Sequence, residues 1–70
     1  MTESEIEMVE NPVTWPHRPM LPMKLYLESG VALGYLLEKS GLTIHDYDTR
    51  APVQTFETVE EMRDFGWRID

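Results

Sequence analysis

The run "TIHDYDTR", residues 43–50, gathers the densest set of chemically capable side chains in this chain. His45, Asp46 and Asp48 are of the types that ligate a metal ion or form an acid–base pair, and Tyr47 and Arg50 could together hold an anion. A small enzyme or metal-binding protein using His45 and Asp48 is therefore one reading. Strand geometry opposes it, because His45 and Tyr47 would point to one face and Asp46 and Asp48 to the other. His17, the only other histidine, lies in a proline-rich stretch, and no known ligand spacing connects the two. The competing reading is a strand end that runs into a turn, where Asp and Thr side chains bond to nearby backbone.

The chain lacks cysteine, which excludes a thiolate zinc site and a cysteine nucleophile. It also lacks a glycine-rich phosphate loop and a nucleophile elbow. No catalytic residue, metal or cofactor is expected. The net charge of −7, from 13 acids against 6 bases, repels a phosphate backbone, so direct nucleic-acid binding is not expected either. What the acids suit is a basic patch on another protein. The residues expected to form such a surface are Glu3, Glu5, Glu7, Glu10, Glu57, Glu60, Glu61 and Asp64, with Trp15 as an aromatic contact or, alternatively, as a plug in the chain's own core.

Those residues need elements to position them. Residues 1–10, "MTESEIEMVE", read as an acidic tail, either a solvated arm or a half-buried strand in which Ile6 and Met8 alternate with Glu5 and Glu7. A solvated arm could be deleted without loss of the fold. Residues 11–70 read as one small domain. It begins with an extended arm, since Pro12, Pro16, Pro19 and Pro22 each lack an N–H and bias the preceding residue away from helix.

From Leu21 the pattern has period two, with Leu21, Met23, Leu25 and Leu27 on one side of a strand. "ESGV" supplies a turn, and "ALGYLLE" resumes strand composition with Gly34 at a bulge or a close backbone approach; a helix through "GVALGYLLEKSG" is the competing assignment. "KSG" is a hairpin loop, and "LTIHDYD" is a third strand. In "TVEEMRDFGW", Thr58 and Glu61 stand at capping-box spacing, and Val59, Met62 and Phe65 form an apolar stripe. Gly66 followed by Trp67 is a left-handed helix ending.

The expected fold is α+β: a three-stranded antiparallel sheet, one short C-terminal helix and the proline arm. A 70-residue chain buries only about 60% of its unfolded surface, and without disulfides it needs another source of stability. A homodimer is therefore expected. No run is long and apolar enough to cross a bilayer, and the acidic start is unlike a signal peptide, which implies a cytoplasmic protein.

"TWPHRPMLPMK", the glycine within "LGYLL" and the ending "FETVEEMRDFGWRID" resemble the small uncharacterised proteins of actinobacteria and their phages. Those proteins share a Trp-Pro/Leu-Pro-x-Lys arm and a terminal Asp/Phe-Gly-Trp-Arg-x-Asp. The middle, from Glu38 to Val53, carries no such signature. The resemblance implies a phage accessory protein and transfers no catalytic residue. Combined with the acidic surface, it implies an interaction module that modulates a host macromolecule; the alternative is a structural or assembly component that acts through self-association.

Overall fold

The period-two run forms strand β1, Met20–Leu27, which pairs antiparallel along its whole length with β2, Gly30–Leu37, in a computed structural model that describes all 70 residues. Two residues, Glu28 and Ser29, join them, with Gly30 at φ 143°. After a 3₁₀ turn over Glu38–Ser40 and Gly41 at φ 63°, β3, Thr43–Asp46, adds to the free edge of β2.

Two further strands correct the expected three-stranded sheet. β4, Pro52–Thr55, pairs with β3 through a bulge and opens on a proline, which an edge strand tolerates because its free side needs no N–H donor. β5, Arg68–Ile69, is two residues long and pairs with Met23 and Lys24 on the other side of β1. The sheet is five-stranded and antiparallel between neighbours, in the order β4-β3-β2-β1-β5. Strands this short carry no readable periodicity.

The second correction concerns helices. There are two, α1, Glu3–Glu10, and α2, Val59–Phe65. The acidic segment is thus neither a solvated arm nor a strand. Thr2 caps α1: its hydroxyl accepts from the Glu5 N–H at 3.3 Å and the Glu5 carboxylate accepts from the Thr2 N–H at 2.9 Å. Pro12 stops the helix after eight residues, because it disfavours helical geometry at Asn11. So short a helix holds only if packed, and α1 buries Val9 while the Met8 carbonyl accepts from the Trp15 indole at 2.7 Å.

Both helices cover one face of the sheet. The core consists of Val9, Trp15, Leu21, Met23, Leu36, Ile44, Val59, Met62 and Trp67. Leu27 and Phe65, expected to join it, are 50% and 55% exposed. Leu27 lies at the hairpin end, and Phe65 turns at the end of α2 to pack on Phe56. α2 ends as its sequence indicates: the Gly66 N–H donates to the Arg63 carbonyl and the Trp67 N–H to the Met62 carbonyl, with Gly66 at φ 120°.

Gly34 is crowded by the neighbouring strand β3, with the Trp67 ring also within contact distance. A Cβ there would lie 2.8 Å from both Ile44 Cγ2 and the His45 carbonyl oxygen, and 3.6 Å from the Trp67 ring. Gly34→Ala is therefore expected to destabilise the fold by about 1–3 kcal/mol. Urea denaturation checks this, and an unchanged midpoint would contradict the packing. Deleting residues 1–10 should lower the melting temperature and red-shift tryptophan emission, because Val9 is lost and Trp15 is uncovered.

Candidate functional site

The caps that build the two helices also decide where the acids lie. Both first turns are rich in Glu, which suits the partial positive charge of a helix N-terminus. The inner faces of α1 and α2 are apolar, so their acids project outward on one layer. Residues 1–10 and 57–65 hold eight acids and one base, which accounts for the whole net charge of −7, whereas the rest of the chain holds five of each sign.

Three of the eight acids already serve local structure. Glu5 closes the α1 capping box, and the Thr2 backbone N–H holds its carboxyl below the ordinary carboxylate range. In α2 the Thr58 hydroxyl accepts from the Glu61 N–H at 3.1 Å, but the Glu61 carboxylate accepts from the Glu57 N–H at 3.2 Å, one residue before the position expected of a capping box. Asp64 is paired with Arg63. Glu3, Glu7, Glu10, Glu57 and Glu60 have neither an ion pair nor a hydrogen bond from another side chain.

Glu10, Glu57 and Glu60 stand around a cleft of about 450 Å³ between the end of α1, the start of α2 and the Gly41–Leu42 loop. Val9, Trp15, Leu36, Leu42 and Val59 supply its apolar lining. Glu38 also borders the cleft, but Arg18 neutralises it with a two-pronged contact of 2.8–3.2 Å, which in turn raises the Arg18 pKa. Trp15 is only 6% exposed, so of its two expected roles it takes that of a plug in the chain's own core, and it serves this site as a wall and not as a projecting contact. The acids were legible in the sequence; the cleft between them was not, because it needs α1 to be a helix.

"TIHDYDTR" is divided between the two sides of the sheet edge. His45 stacks on Tyr35 on the face opposite the helices, with centroids 5.3 Å apart, and its Nδ1 is enclosed without a partner. Asp46 turns into the loop, where its Oδ1 accepts from the Asp48 N–H at 2.8 Å and the Thr49 N–H at 2.9 Å. Asp48 is exposed. Arg50 completes the turn at φ 65°, its N–H donating to the Asp46 carbonyl. No three His, Cys, Asp or Glu side chains converge as a metal-ligand group.

No family model, curated protein or solved structure matches the chain. No helix is long and apolar enough to cross a membrane.

The Thr49 and Asp48 N–H groups hold the Asp46 carboxyl below its usual range. A depressed folded-state pKa contributes stability above the unfolded pKa and loses it as pH falls through the folded one. Asp46→Asn keeps an acceptor oxygen but no titrating charge. The stability gap between the native chain and this variant should be full at neutral pH and shrink through the acid carboxylate range. Urea titrations at stepped pH measure it, and a gap that is constant with pH would assign it to shape alone.

Proposed function

We propose that this chain is a non-catalytic interaction module whose acidic helical layer holds a basic segment of another protein. The observation that carries the reading is the cleft between α1 and α2, where an apolar lining is bordered by the unpaired Glu10, Glu57 and Glu60. Lys and Arg carry apolar stems and charged heads, so a basic side chain entering this cleft would lay its stem on Trp15 and Val59 and leave its head among the carboxylates. The wider field of Glu3 and Glu7 would raise the encounter rate with a basic patch and disfavour acidic partners. A host protein is the class of partner that the likeness to phage proteins implies.

The probe is a peptide in which Arg alternates with Leu, compared with the same peptide carrying Glu for Arg. Tryptophan emission should change saturably with the basic peptide alone, and the affinity should fall as salt rises. The double variant Glu57→Gln, Glu60→Gln leaves the Thr58 and Glu61 capping contacts in place and should weaken binding by roughly tenfold with a native-like circular dichroism spectrum. Equal affinity for both peptides, or none for the basic one, rejects the reading.

A further inference from the structure

The sheet face opposite the helices has no cover. Alternation from the buried Leu21, Met23, Gly34, Leu36 and Ile44 sends Tyr26, Val31, Leu33, Tyr35, Leu37 and His45 to this side. Tyr26, Val31 and Leu33 are 55%, 50% and 48% exposed. The face is also ordered across its width. Its middle, β2, is aliphatic and aromatic. On the β1–β5 border, Lys24 and Arg68 lie over the Tyr26 ring at 5.6 and 5.3 Å from its centroid. On the β3 border, Tyr47 sits edge-on to Tyr35, which stacks on His45.

We infer that a second copy of this chain covers this face, forming a homodimer in which two sheets pack face to face and the helical layers lie outside. Charge selects the occupant and the orientation. The helical layer carries the whole net charge of −7, so two copies meeting through it would set like charges together, while the rest of the chain sums to zero and allows close approach. A two-fold axis along β2 lays β2 on β2, because β2 is the middle strand of five. It also sets the Lys24–Arg68 border of each copy, where Asp70 pairs with Lys24, on the border of the other that holds Tyr47 and Arg50, so that aromatic rings and a carboxylate stand among the cations. A two-fold axis across the strands would set Lys24 and Arg68 against their own copies. Aligned packing of two sheets about 10 Å apart buries the central side chains of both. The contact is isologous, so it closes as a dimer and does not propagate.

The chain contains no cysteine, so single-cysteine variants report on one contact at a time. Leu33→Cys lies near the proposed axis and should form an interchain disulfide on mild oxidation, whereas Glu7→Cys, on the outward side of α1, should not. Sedimentation of the native chain should show a dimer in the micromolar range, with a melting temperature that rises with concentration. Leu33→Glu should weaken the dimer on the order of a hundredfold or more, since each leucine is lost twice across a two-fold interface. Circular dichroism of that variant should remain native-like, because Leu33 already stands half in solvent. A native monomer throughout that range overturns the proposal, as does a dimer that tolerates Leu33→Glu or cross-links through Glu7→Cys.

Discussion

The indole of Trp67 rests over Gly34, in the middle of the sheet where no side chain rises, and most of the architecture depends on that contact. Trp67 follows the glycine that ends α2 and precedes the two residues of β5, so seating its ring fixes both the end of the helix and the start of the last strand. Its Nε1–H donates to Gln54 Oε1 at 3.1 Å, which ties β4 to the same point. Gly66 is constrained from the other side: its φ of 120° suits glycine, and a Cβ there would meet Leu25 at 2.9 Å. Two glycines and one indole thus connect both edges of the sheet through a helix of seven residues.

Trp15 plays the corresponding role at the other end of the core. Its ring is enclosed among the cleft and core residues, and its only polar atom is satisfied by a carbonyl of α1. An indole N–H removed from water needs such an acceptor. The helix that supplies it is too short to persist alone, so indole and helix stabilise each other. This mutual dependence explains why an acidic segment rich in Glu is part of the fold.

A sheet covered on one side leaves two surfaces of opposite character. Helices whose inner faces pack on the sheet must place their polar residues outward, and both capping motifs recruit Glu, so the negative charge collects on one layer. The bare side of the sheet keeps the apolar and aromatic members of the same alternation that built the core. The segregation of charge from apolar area follows from topology.

Several features were determined by local sequence. The period-two leucines of β1, the strand composition of β2 and the Thr58 and Gly66 signals of α2 each state a backbone preference within a few residues, and the structure carries all of them. Others needed the tertiary structure. "ESEIEMVE" satisfies both an alternating strand and, through Thr2 and Glu5, a capped helix; burial of Val9 and the bond to Trp15 favour the helix. "PVQT" and "RI" are too short for any period, and become strands only because β3 and β1 present free edges to them. The candidate cleft shows the same division. Its carboxylates could be named from the sequence, but their convergence around an apolar lining depends on two helices that only the shared core brings together.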